Sequence, residues 1–173
     1  MTLARAEGLL SMKHGLVRLD GVWGVGGATR PVKYLVKKMV LLLQEYLSSS
    51  DAAEASRCLV ELEVPHFHHE MVYEAIVMVI EKMDERTAVL MSDLLKSLCN
   101  SVIITPSQMK EGFLRVYEDL PEISLDVPPA YAVLERFVNR CHCAKIVDND
   151  IVKKLPVRLV IFYLVIDYLY LPQ

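Results

Sequence analysis

From Pro31 onward, apolar residues recur every three or four positions, the period of helices with one buried face. Val32, Leu35, Val36, Met39, Leu43, Tyr46 and Leu47 form the first stripe, which Ser48-Ser49-Ser50-Asp51 interrupts. Asp51 is placed to N-cap a second helix whose inner face is Ala55, Cys58, Leu59 and Leu62. Val64-Pro65 ends that helix, because the residue before a proline is driven out of the helical region. A third helix over about 68–83 is apolar on more than one side, through Met71, Val72, Ala75, Ile76, Val77, Met78, Val79 and Ile80. Such a helix is central, packed by neighbours on both flanks. A fourth carries Ala88, Met91, Leu94, Leu95 and Leu98.

Thr105-Pro106-Ser107-Gln108 combines an N-cap Thr, Pro at the first helical position and Gln at the capping-box position. It opens a fifth helix with Met109, Phe113, Val116 and Tyr117 inward, which Leu120-Pro121 is predicted to stop. A sixth begins near Pro128 or Pro129 and buries Val133, Leu134, Phe137, Val138 and Cys141. A short seventh at about 148–155 closes the series. Leu62-Glu63-Val64-Pro65 before the third helix is echoed by Leu125-Asp126-Val127-Pro128 before the sixth, about sixty residues later. The fold class expected is all-α, a small solenoid of stacked antiparallel helix pairs.

Residues 31–157 are the expected domain. Residues 1–30 lack a strong period and carry Gly21, Gly24, Gly26 and Gly27 around Trp23, which reads as a linker or the remnant of a preceding region. They lack a signal-peptide layout. Residues 158–173 include thirteen apolar-rich positions, 159–171, broken by Asp167. That falls short of the roughly 20 apolar residues that span a bilayer. The tail is expected to be an atypical appendage, β-prone and not a native part of the domain.

Composition narrows the function classes. A 53% hydrophobic content with seven Gly and eight Pro in 173 residues favours helices. Cys58, Cys99, Cys141 and Cys143 are spread as free thiols of a reducing compartment would be. Net charge is −3, yet between Gln44 and Glu135 seventeen acidic side chains face six basic ones, a difference of −11. Such a core repels phosphate backbones and steers a basic protein partner.

Two stretches carry candidate chemistry. His66, His68 and His69 beside Glu70 invite a metal-dependent enzyme reading, with Glu70 or Glu74 as base. A zinc-protease helix needs a second His four positions on, and Tyr73 stands there. Cys141-His142-Cys143 lacks a second ligand pair, and Gly24-Val25-Gly26-Gly27 matches no phosphate-cradling or dinucleotide spacing. The histidines are therefore read as the start of the third helix, and no metal or cofactor is expected. The second stretch runs from Glu118 to Pro128. Glu118, Asp119, Glu122 and Asp126 fall within nine residues with no base among them, in what reads as a loop braced by Pro121 and Pro128. Braced loops concentrate binding groups, and carboxylates there suit bidentate pairing with arginines.

Several stretches, in order, resemble one family. Arg18-Leu19-Asp20-Gly21-Val22-Trp23-Gly24 resembles its inter-domain linker, and Leu42-Leu43-Gln44-Glu45-Tyr46-Leu47 its first helix. Residues 61–80 resemble its helix-turn-helix heart. Asp93-Leu94-Leu95-Lys96-Ser97-Leu98, Leu125-Asp126-Val127-Pro128 and residues 131–138 complete the match, which covers about 18–156. The family is that of MA-3 domains in translation-repressing tumour suppressors linked to apoptosis, here resembling the C-terminal copy.

The resemblance implies a HEAT-like bundle that binds and inhibits the DEAD-box RNA helicase of the translation-initiation complex. It also implies competition with the MA-3 domain of the initiation scaffold protein. By motif the family's helicase contacts correspond to Glu122 and Asp126, with Pro121, Glu118 and Asp119 beside them. The family has Asp where this chain has Glu122, which keeps the charge and lengthens the reach. A monomer of cytoplasm and nucleus is implied, with no direct RNA contact from this domain and no membrane. An MA-3 scaffold module for another partner is the alternative.

Overall fold

A computed structural model describes residues 31–156. The expected linker at 1–30, with Trp23, and the apolar tail at 158–173 lie outside the described residues. Among these residues seven α-helices follow one another: α1 Val32–Ser49, α2 Ala52–Glu61, α3 His68–Lys82, α4 Glu85–Asn100, α5 Pro106–Asp126, α6 Ala130–Cys143 and α7 Asn149–Lys153. A 3-10 turn, Pro65–Phe67, precedes α3, and no strand occurs among the described residues. None of the described helices is long and apolar enough to cross a membrane.

Local chemistry sets the boundaries. Asp51 accepts from Ala53 N and Glu54 N at 3.0 Å each, and Asp84 accepts from Thr87 N at 2.7 Å. Thr105 and Gln108 form the reciprocal capping box, with Thr105 N donating to Gln108 Oε1 at 3.0 Å and Gln108 N to Thr105 Oγ1 at 3.3 Å. Each cap satisfies helix-start N–H groups that have no partner within the helix. The α1 and α3 ends turn through Ser50 (φ 58°) and Met83 (φ 53°), whose N–H groups donate to Tyr46 O and Val79 O. A left-handed residue at this place is the usual way to stop a helix sharply.

The helix α3 is the shared core element, touching α1, α4, α5 and α6. Met71, Val72, Ala75, Ile76 and Ile80 are wholly buried along it, as its continuous apolar run requires. Around it Phe113 of α5 stacks on Phe137 of α6, ring centroids 6.4 Å apart. The Tyr46 hydroxyl donates to Leu90 O at 3.0 Å, tying α1 to α4. Tyr117 ties α5 to α7 through Ile151 O at 3.2 Å.

One expectation is overturned. Residues 118–126 are not a loop: α5 runs unbroken through Pro121 to Asp126. Proline removes one backbone hydrogen bond, but it does not end a helix whose later residues still gain from packing. Here Leu120 is fully buried and Ile123 packs against the core on the same side. The chain leaves the helix only at Val127, whose N–H donates to Ile123 O at 2.9 Å. Asp126 does not cap α6, whose N-cap is Pro129 with no side-chain cap bond.

The helices α3 and α5 approach closely at Gly112. A Cβ added at Gly112 would stand 2.6 Å from Val72 Cβ and 2.9 Å from the His69 carbonyl oxygen. Only a residue without a side chain allows that approach. Gly112→Ala is expected to lower unfolding free energy by about 1–3 kcal/mol through overpacking. Urea unfolding followed by circular dichroism checks it, and an unchanged midpoint would show that α5 shifts freely.

Candidate functional site

Close approach at Gly112 aligns the two helices. Moving along them, His69 meets Gly112, Glu70 meets Arg115 and Tyr73 meets Asp119. Positions rise together, so α3 and α5 run in the same direction with α4 returning between them. Their outer faces form a single two-helix surface.

On α5 that surface carries the acids. Glu118, Glu122 and Asp126 are all exposed and spaced four residues apart, so they stand in a row along one side of the helix. Pro121 is exposed beside them, and Leu125 is 80% exposed. Asp119 departs from this row. It is half-buried and close to Tyr73 of α3, whose ionisation its carboxylate opposes. Burial, reinforced by that carboxylate, pushes the Tyr73 hydroxyl up to about 12, so it stays neutral.

The α3 half was not evident from the sequence as part of this site. Glu70 pairs with Arg115 across the helix interface, its side chain only 4% exposed against 41% for Arg115. A carboxylate so deeply placed needs its counter-ion. The Arg115 guanidinium also lies over the Tyr73 ring, 4.4 Å from the centroid, a favourable cation–π distance. One turn on, Glu74 is half-buried beside this pair. Burial, with Glu70 and Glu81 adding repulsion, pushes its carboxyl up to about 7. The i, i+4 spacing of Glu70 and Glu74, which puts both on one side of a helix, is the sequence signal for this half.

Those histidines do not converge. His68 is buried and its Nδ1 donates to Ile103 O at 2.8 Å. That fixes the tautomer, leaving Nε2 as a bare acceptor, and burial lowers its affinity for a proton. His69 stands edge-on to Phe67 at 5.3 Å, with Nδ1 3.9 Å from the Glu111 carboxylate. His66 faces solvent. Cys141 is buried while Cys143 is exposed, and His142 Nδ1 is taken by Val147 O at 3.2 Å. Among the described residues, no three His, Cys, Asp or Glu side chains are grouped to hold a metal ion.

Comparison with known proteins shows the family. The MA3 domain model matches residues 35–148. Programmed cell death protein 4 of Gallus gallus is 56% identical over 156 residues, 90% of this chain and 33% of the relative. The Homo sapiens protein of that name is 53% identical over the same length and shares. MA3 domain-containing translation regulatory factor 2 of Arabidopsis thaliana is 39% identical over 140 residues, 78% of this chain and 20% of the relative. The chain thus spans about a third of the length of the first of these relatives. With the helical stack, the matched core and these relatives in agreement, the chain belongs to the MA3 domain family.

Proposed function

We propose that this domain is a protein-docking module that represses translation by binding the DEAD-box RNA helicase of the initiation complex. The observation that carries the reading is the row Glu118, Glu122 and Asp126 beside exposed Leu125 and Pro121 on α5. Carboxylates held on a helix lose less side-chain freedom on binding than those on a free loop, because the backbone is already ordered. A row at that spacing matches basic side chains on a partner, and Leu125 supplies the apolar contact among them. Homology to programmed cell death protein 4, and the regulatory role named for the Arabidopsis relative, supply the biological direction.

Within this reading Asp126 and Glu122 are the direct contacts, Glu118 and Pro121 flank them, and Asp119 serves through Tyr73. The domain corresponds to the C-terminal copy of the repressor's MA-3 pair. It acts as a monomer in cytoplasm and nucleus, competes with the initiation scaffold protein for the helicase, and binds no RNA itself. The mechanism is stoichiometric occupation of the helicase, with no chemical step. Where a longer protein holds a second such domain, avidity strengthens the inhibition.

Charge reversal tests the row directly. Asp126→Lys is expected to weaken helicase binding by roughly tenfold or more, with helical content unchanged by circular dichroism. Unaltered affinity in calorimetry would remove α5 from the interface. Raising the salt concentration should weaken the wild-type complex more than the variant, since screening acts on the charges that remain.

Glu74 gives a pH signature. Its folded carboxyl titrates at about 7, above the 4.5 of an unperturbed glutamate. A raised acid contributes stability that is fully present below pH 4.5 and lost as pH climbs to about 7. Glu74→Gln should therefore match the wild type near pH 4.5 and exceed it above pH 7. The gain is on the order of 1 kcal/mol after solvent screening. Melting curves at both pH values decide this; a gain at low pH alone contradicts the assignment. Ionisation of Glu74 also adds charge to the docking face, so helicase affinity should rise between pH 6 and 8 in the wild type and less in the variant.

A further inference from the structure

The acidic row stands on a helix with a weak rung. Pro121 has no N–H, so the Tyr117 carbonyl receives no i→i−4 hydrogen bond, and the proline ring crowds that turn. Glu122 and Asp126 lie beyond this break. Beyond the helix's own backbone bonds, two further hydrogen bonds close the last turn. Ser124 Oγ donates to Pro121 O at 2.8 Å, Val127 N donates to Ile123 O at 2.9 Å, and Ile123 and Val127 are only half-buried.

Immediately before the break, a polar bridge crosses from α3. Glu70 pairs with Arg115, Arg115 lies over the Tyr73 ring, and the Asp119 carboxylate lies near the Tyr73 hydroxyl. Position 115 of α5 is thereby tied to α3, and Asp119, one turn on and two residues before Pro121, faces the same tyrosine. The inward side of the same stretch is apolar, through Val116 and Leu120. Apolar packing sets the distance between helices but is non-directional. A planar guanidinium with a fixed carboxylate and a fixed ring face sets direction. The polar bridge therefore defines how α5 is rotated about its own axis where the backbone ladder is interrupted.

We infer that Arg115 is a positioning residue for the docking face: it fixes the rotation of α5 so that Glu122 and Asp126 point outward in register. The inference rests on the docking reading above for its consequence, and on the free protein for its mechanism. Asp119 then belongs to the bridge, which is why it leaves the row formed by Glu118, Glu122 and Asp126.

The test uses the full chain in three forms beside wild type: Arg115→Met, Arg115→Lys, and the double variant Glu70→Gln/Arg115→Met, which leaves no buried carboxylate unpaired. Amide hydrogen exchange is measured at Leu125, Asp126 and Val127, with Leu42 and Leu43 of α1 as references, together with affinity for the purified initiation helicase. Arg115→Met and the double variant should exchange roughly tenfold faster in the last turn of α5 with the α1 amides unchanged, as a local opening does. Helicase affinity should fall about fivefold to tenfold, and Asp126→Lys should cost less in these backgrounds than in wild type, the non-additivity of coupled sites. Arg115→Lys should restore part of both effects.

Unchanged exchange at 125–127 overturns the inference, and so does equal acceleration in α1, which would mark general destabilisation. Weaker helicase binding with unchanged exchange would make Arg115 a direct contact instead, which also overturns it. If wild type fails to bind the helicase, the docking reading fails, while the exchange data still decide whether Arg115 holds the last turn.

Discussion

The approach of α5 to α3 at Gly112 is the constraint on which the two-helix face depends. With no side chain there, the backbones come close enough for Glu70 to reach Arg115 and for Tyr73 to reach Asp119. A wider gap would leave the Glu70 carboxylate buried without its counter-ion, an expensive state in a low-dielectric setting. Packing and electrostatics therefore reinforce each other at this interface. The apolar seam brings the helices together, and the polar seam makes only one rotation acceptable.

The same interface sorts the acids into different roles. Glu70 is spent on Arg115, and Asp119 faces Tyr73. Glu118, Glu122 and Asp126 face solvent, and Glu74 sits between these conditions, too buried to ionise easily and too close to other acids to be neutral to their field. An excess of negative charge along the chain thus becomes a patterned surface. Bridges such as Arg140 to Glu85 and Lys110 to Asp150 pair some of the remaining acids.

Much of the fold was legible because its signals are local. The stripes of α1, the caps Asp51 and Thr105, and the all-round apolar run of α3 are properties of short windows. The histidines illustrate the limit. Neighbours in sequence, His66, His68 and His69 end in solvent, on the Ile103 carbonyl and against Phe67, because successive residues on a turn and helix point in different directions. Proline 121 illustrates another. Its local chemistry argues for a helix end, and the buried positions Leu120 and Ile123 on either side outweigh it through contacts made with distant residues.

The order of residues thus determined the succession of the described helices, the central place of α3, the family resemblance and the acidic character of residues 118–126, since periodicity, capping and charge are written in neighbouring positions. Tertiary structure alone decided that those acids stand on a helix, that Asp119 is half-buried, and that Arg115, Glu70, Tyr73 and Glu74 share their face. Those facts depend on which side chains meet across 40 residues or more of intervening chain, where burial and paired charge, rather than local propensity, set the outcome.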